Sequence, residues 1–244
     1  MELLSSAGPD QLGLVDREGA AAVHYASQEA GTGLGLLLRA GADPAQLDRR
    51  GRSPLHWAAG ADCLPAVAEL LGAGVDPATR DSESLTALHC AAARGAERAL
   101  GALLAASPNL TDIPDSAGAA PLSYAAAHGR LGCCRVLLAA GADPQLPDGA
   151  GRTALQCAAA RGRQAVLELL VGAGVEPGPA VLEAALARGK YQVAAWILSR
   201  RQELVITPDS EGLQPLHRAA ARGDLQVQSG RVRPRQSNDV QKYG

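Results

Sequence analysis

The chain has 244 residues, a formal net charge of −2, 47% hydrophobic and 2% aromatic content, and no Phe. That near-neutral balance gives no global reason to expect nucleic acid or an acidic membrane as partner, and no apolar run is long enough to span a bilayer. Its cysteines, Cys63, Cys90, Cys133, Cys134 and Cys157, are odd in number and contain no C-x-x-C pair, which argues against a disulfide framework or a zinc module.

The chain opens on what reads as the end of a helix. Glu2-Leu3-Leu4-Ser5-Ser6-Ala7-Gly8 parallels Glu69-Leu70-Leu71-Gly72-Ala73-Gly74 further on, and Pro9-Asp10 stands where an extended finger should begin. Residues 1–15 are therefore taken as a partial repeat or lead-in. They lack the basic start and apolar centre of a signal peptide, so a cytoplasmic or nuclear protein is expected. A first full unit, 16–47, carries Ala21-Ala22-Val23-His24 after Asp16, and Gly31-Thr32-Gly33 loosens the turn between its two helices.

The second unit, 48–80, is the clearest copy. Asp48 and Gly51 set a tight turn, the Gly accepting backbone angles closed to other residues, and Ser53-Pro54 opens a short helix with Pro in its first turn. Ala58 and Ala59 let a second helix, Pro65 to Gly72, approach closely, and that helix brings Val67, Leu70 and Leu71 at helical spacing. Gly74-Val75-Asp76-Pro77 ends it and turns the chain outward.

Counterparts of Asp48 follow at Asp81, Asp115, Asp148 and Asp209, at spacings of 33, 34, 33 and 61 residues. A fixed period of this length marks a stacked repeat array. The third unit, 81–114, holds one extra residue near Ser107-Pro108-Asn109, where a loop is predicted. The fourth and fifth, 115–147 and 148–178, are regular, although Ser123 and Gln156 replace the usual His. The sixth, 179–208, keeps two helical stretches, Val181 to Ala187 and Val193 to Leu198, but has no Asp-x-x-Gly turn, so a shortened finger is expected. A partial seventh, 209–228, opens on Asp209, Gly212 and Pro215-Leu216-His217 and loses its leucines after Leu225 and Val227. Residues 229–244, with Arg231, Arg233, Arg235 and Lys242, have too little apolar content to offset the entropy of ordering and are expected to be a disordered basic tail.

Five short motifs carry a resemblance. Ser53-Pro54-Leu55-His56, Thr86-Ala87-Leu88-His89, Ala120-Pro121-Leu122-Ser123, Thr153-Ala154-Leu155-Gln156 and Gln214-Pro215-Leu216-His217 recur in register, with Gly41-Ala42-Asp43-Pro44 and Gly141-Ala142-Asp143-Pro144 in the fingers. The chain resembles the ankyrin repeat family. That resemblance implies an all-α ankyrin-repeat solenoid of about six helix-turn-helix units with short extended fingers, spanning 16–228. It also implies that His24, His56, His89 and His217 tie each turn to the backbone of the neighbouring repeat, a structural role.

No catalytic constellation competes with this reading. Gly31-Thr32-Gly33-Leu34-Gly35 follows no buried strand and lacks the full nucleotide fingerprint, and neither a Gly-x-Ser-x-Gly elbow nor a zinc-protease helix occurs. No enzyme activity, cofactor, metal or small-molecule substrate is expected.

Function then rests on surface. The concave side of a solenoid, made by fingers and first helices, is where such arrays bind. The residue after each T-P-L-H site gives a row Tyr25, Trp57, Cys90, Tyr124, Cys157, Arg218, and the residue before the interhelix Gly gives Glu29, Ala61, Arg94, His128, Arg161, Arg222. Arg49, Arg50, Arg52 and Arg152 lie on the finger side. From these, Tyr25, Arg52, Trp57, Arg94, Tyr124, His128, Arg152, Arg161, Arg218 and Arg222 form the candidate partner-binding set. The competing reading packs the aromatics against neighbouring fingers and leaves the cations as solvated helix ends. The expected function is a noncatalytic scaffold or adaptor that receives a protein segment carrying Asp, Glu or phosphate. Two alternatives are a nucleic-acid-associated regulator and a shortened isoform regulating a longer ankyrin protein. Incomplete terminal repeats would also favour self-association through uncapped ends.

Overall fold

The computed structural model describes residues 9–206, together with 208, 212–214, 217, 225–228 and 231–234. The chain divides into two compact units, Met1–Ala154 and Leu155–Gly244. The predicted period appears in the first as helix pairs: after α1 (Pro9–Leu12) come α2 (Ala22–Ala26) with α3 (Gly33–Arg39), α4 (Pro54–Gly60) with α5 (Leu64–Gly72), α6 (Ala87–Arg94) with α7 (Glu97–Ala106), and α8 (Pro121–His128) with α9 (Leu131–Ala139). First helices α2, α4, α6 and α8 contact one another in order and second helices α3, α5, α7 and α9 form a parallel layer behind them, the arrangement of an all-α repeat solenoid.

Small residues set the spacing between those layers. Ala58 and Ala59, Ala91 and Ala92, and Ala125 and Ala126 are fully buried on the first helices, where a larger side chain would hold the second helix away. Leu55, Leu88 and Leu122 of the first helices and Val67, Leu70, Leu100, Leu103 and Leu137 of the second are all buried, and the first and second helices of each repeat are in contact. Each such aliphatic burial is worth about 1.5–3 kcal/mol, so the core is a chain of small contributions, one per repeat. Cys133 and Cys134 fill the sites of the usual valines and are buried, which pushes their thiols up to about 11 and about 12.

The turns are built by one carboxylate each. Asp48 Oδ1 accepts from the N–H groups of Arg50 and Arg52, and the same pattern recurs at Asp16, Asp81, Asp115 and Asp148. Neighbouring fingers are joined by single backbone bonds: Arg49 N–H donates to Glu18 O, Ser82 to Arg50 O, Ser116 to Glu83 O and Gly149 to Ala117 O. Gly118 at φ +76° shows why the turn needs glycine, since a Cβ there would stand 2.7 Å from Gly149 N.

Beside the looser turn of the first repeat, which has no positive-φ residue, the interhelix turn of the second repeat departs from the rest. Gly95, Gly129, Gly162 and Gly189 take positive φ between the helices of their repeats, but Asp62 fills that place at φ 55°. Its carboxylate reaches the next repeat, where Oδ1 accepts from Ala99 N–H at 2.9 Å and Oδ2 from Arg98 Nε at 3.1 Å. Ala99 lies in the first turn of α7, so Asp62 caps a helix of the following repeat rather than its own.

The extra residue near Ser107 is taken up by a 3-10 turn, Pro108–Leu110. In the second unit α10 (Ala154–Arg161) and α11 (Gln164–Gly172) lead, after only residues 173–178, into α12 (Pro179–Ala187). No Asp turn intervenes, in keeping with the shortened finger. α12 pairs with α13 (Tyr191–Arg200), and a 3-10 turn, Gln202–Val205, packs on α13. Further on, β1 (Leu225–Gln228) and β2 (Arg231–Pro234) form an antiparallel pair with Val227 opposite Val232. The expected partial repeat and tail otherwise lie mostly outside the described residues.

Candidate partner-binding groove

The buried histidines hold the first helices in place. Ser53 N–H donates to His56 Nδ1 at 3.1 Å, so the ring proton sits on Nε2, which donates to Leu85 O of the next repeat at 3.1 Å. His89 repeats this with Thr86 N–H and Ala119 O, and His24 with Ala21 N–H and Arg52 O. Burial pushes His56 and His89 below the usual imidazole range and keeps them neutral. This is the inter-repeat tie that the resemblance implies.

With Oδ1 of each turn Asp committed to the backbone, Oδ2 is left for side chains. Tyr25 hydroxyl donates to Asp16 Oδ2 at 2.5 Å, Trp57 Nε1 to Asp48 Oδ2 at 3.1 Å and Tyr124 hydroxyl to Asp115 Oδ2 at 2.6 Å. In each pair the partners stand nine residues apart. Arg52 also donates to Asp48 Oδ2, and Arg152 to Asp148 Oδ2, both at 2.8 Å. Burial opposes ionisation of Asp48, but the bonds from Arg52 and Trp57 outweigh it and hold the carboxyl below its usual range.

The rings also meet one another. Trp57 packs edge-to-face against His24 and Tyr25 of the preceding repeat at 5.4 Å, and Tyr124 against His89 at 5.5 Å. Arg52 stacks over the Trp57 ring, 5.1 Å from its centre. The aromatic row is thus knit into the repeats, as the competing reading held, and still reaches the surface: Tyr25 is 51% exposed.

Beside Trp57 the surface opens into a groove of about 270 Å³ lined by Gln28, Arg52, His56, Trp57, Gly60, Ala61, Cys90 and Arg94. No acidic side chain lines it. Arg94 is exposed at the end of α6, its stem lying over Gly60, and among the described residues it makes no ion pair. The groove brings together Arg52, Trp57 and Arg94 from the candidate set. Tyr25 adjoins it through Trp57.

Comparison with known families places most of the chain. Ankyrin repeats (3 copies) match residues 23–112, 55–148 and 108–180, and ankyrin repeats (many copies) match 182–227. The chain belongs to the ankyrin repeat family. A comparison with curated proteins found no match. Ankyrin repeats are generally protein–protein interaction modules, typically noncatalytic. Among the described residues of this ankyrin chain, no group of His, Cys, Asp or Glu is arranged to hold a metal ion, and no helix is long and apolar enough to cross a membrane.

The remaining candidates are spread over the ankyrin array. Tyr124 and the exposed His128 lie on α8, Arg152 is engaged with Asp148 in its own turn, and Arg161 is exposed in the second unit. Arg218 and Arg222 lie outside the described residues. Gln28 was not among the sequence candidates, and His56 was assigned only a structural role, although it forms part of the groove wall. The signal that went unused was the thrice-repeated nine-residue spacing from turn Asp to aromatic.

Proposed function

We propose that this ankyrin protein is a noncatalytic adaptor or scaffold of the cytoplasm or nucleus, and that it receives a partner segment in the groove between the second and third repeats. One observation carries the reading: an exposed, unpaired Arg94 stands next to a half-buried Trp57 in an opening that no acidic side chain lines. Trp and Arg are the side chains most often found as interface anchors, because the ring buries area at small entropic cost and the guanidinium pairs bidentately with carboxylate or phosphate. The partner segment therefore carries Asp, Glu or phosphate.

Arg94→Glu reverses the groove charge that has no ion-pair partner among the described residues, without touching the core. Proteins captured from lysate by the intact chain are compared with those captured by the variant, after thermal unfolding has shown the two to be equally folded. Selective loss of a captured protein is the expected result. An unchanged set would remove the groove from consideration.

A further inference from the structure

The aromatic row has a gap. Each ring is held by the turn Asp nine residues before it, Trp57 and Tyr124 also by the His of the preceding repeat, and Trp57 by the row residue of the preceding repeat as well. Trp57 has Asp48, His24 and Tyr25, and Tyr124 has Asp115 and His89. In the third repeat the row residue is Cys90, too short to reach any of these. The holders remain in place around it. His56 is the only one of the three ladder histidines in the first unit whose ring meets no aromatic ring among the described residues. Asp81 closes its turn through Oδ1 alone, to Glu83 and Leu85 N–H, and no described side chain donates to its Oδ2. Leu85 stands where Arg52 and Arg152 stand in their repeats, so the cationic substitute is missing as well. The charge of Asp81 acts on both Cys90 and His56, as that of Asp115 acts on His89 and Tyr124. The opening lies at this place, with His56, Trp57 and Cys90 in its wall; Asp81 is not one of its lining residues, so a hydroxyl that bonds it must reach past Cys90, as the row tyrosines reach their own turn Asp. Its volume of about 270 Å³ is just under the roughly 300–1,000 Å³ usual for small-ligand sites, which suits one inserted side chain.

Resting on the groove reading above, we propose that the partner segment inserts an unmodified tyrosine side chain into the gap at Cys90, its ring against His56 and Trp57 and its hydroxyl donating to Asp81. The chain itself supplies the template. Two of its three row aromatics are tyrosines whose hydroxyls lie 2.5 and 2.6 Å from the equivalent carboxylate oxygens. Acidic residues flanking that tyrosine face Arg94.

The probe is the peptide acetyl-Glu-Glu-Tyr-Glu-Glu-amide, titrated into the full isotope-labelled chain and compared with versions carrying Phe, Leu or phosphotyrosine at the centre. The Tyr peptide is expected to shift the signals of Trp57, Gly60, Ala61 and Cys90. It should bind about fivefold tighter than the Phe peptide, the equivalent of one net hydrogen bond, and the Leu peptide should bind more weakly still. Cys90→Tyr fills the gap from within and abolishes binding of the Tyr peptide. Should Cys90→Tyr fail to fold, Asp81→Asn serves instead and lowers the preference for Tyr over Phe, because a neutral acceptor replaces a charged one. Equal binding of the Tyr, Phe and Leu peptides, with all three weakened by Arg94→Glu, would overturn the tyrosine anchor and leave the groove standing. Tighter binding of the phosphotyrosine peptide would likewise overturn it. Shifts confined to other surfaces, indifferent to Arg94→Glu, would overturn both.

Discussion

Replacing Asp62 separates two effects that its position combines. The residue is held at φ 55°, where non-glycine residues are disfavoured, and its carboxylate caps α7 through Ala99 N–H. Asp62→Ala removes the cap, worth about 1 kcal/mol, and leaves in place the left-handed strain of about 1–2 kcal/mol that Asp62 already carries, since its carboxylate bonds to the next repeat and not to its own backbone. The ion pair with Arg98 adds little, because the two side chains are 66% and 32% exposed. Asp62→Gly loses the same cap but relieves the backbone and restores the residue found at Gly95, Gly129, Gly162 and Gly189. The Ala variant should therefore be less stable than the parent by about 1 kcal/mol, and the Gly variant more stable than the Ala variant by about 1–2 kcal/mol. For a chain of this size about 1 kcal/mol moves the melting temperature by roughly 2–4 °C, so thermal unfolding followed by circular dichroism resolves the pair. Equal losses in the two variants would refute the strain argument. An Ala variant as stable as the parent would refute the cap as well.

Acid should weaken the fold through the ladder histidines. Burial lowers the pKa of His56 and His89 in the folded chain, so they bind protons more readily when unfolded. Their contribution is complete above the unfolded value of about 6.5 and is lost as pH falls from there through the lower folded values. A melting temperature that is level above neutrality and drops below that point is expected, and the pair His56→Gln and His89→Gln should flatten the drop. A parent whose melting temperature stays level down to the carboxylate range would contradict the assignment. Tyr124→Phe keeps the ring against His89 but deletes the donor to Asp115, at an expected cost of about 1 kcal/mol by denaturant titration. In the parent, burial and the Asp115 bond raise the Tyr124 hydroxyl pKa, and the Asp16 bond raises that of Tyr25, so ultraviolet titration should show late tyrosine ionisation, part of which Tyr124→Phe removes.

The helix pairs were legible in the sequence because each boundary is marked by a residue with a backbone reason to be there, such as Pro54 in a first turn or Gly74 after a helix end. Asp62 was harder to read, since only the trans cap explains why a non-glycine residue tolerates that turn. The strand pair of Leu225–Gln228 and Arg231–Pro234 was not anticipated, because its charged second strand carries no apolar alternation long enough to read. For the groove, the sequence rows put Trp57 and Arg94 in one candidate set without saying that they are neighbours, and both line the opening. The rows said nothing of pairing, which depends on local geometry: an Arg four residues after a turn Asp folds back onto it, as Arg52 and Arg152 do, whereas an Arg at a helix end, as Arg94 is, reaches outward. The spacing from Asp to aromatic gains meaning only once the turn and first helix return the chain to its own start.

The division of labour between the two oxygens of each turn aspartate has a consequence for how such a surface can change. Asp81, which holds no side chain, closes its turn at 2.9 and 2.8 Å, and Asp115, which holds Tyr124, closes its own at 2.9 and 2.8 Å. The scaffold is indifferent to what the second oxygen binds. A mutation that exchanges tyrosine, tryptophan, arginine or cysteine along the row rewrites what the protein can recognise while leaving the turns as they were, so new specificity can arise here for the loss of one side-chain bond, about 1 kcal/mol, without rebuilding the repeat.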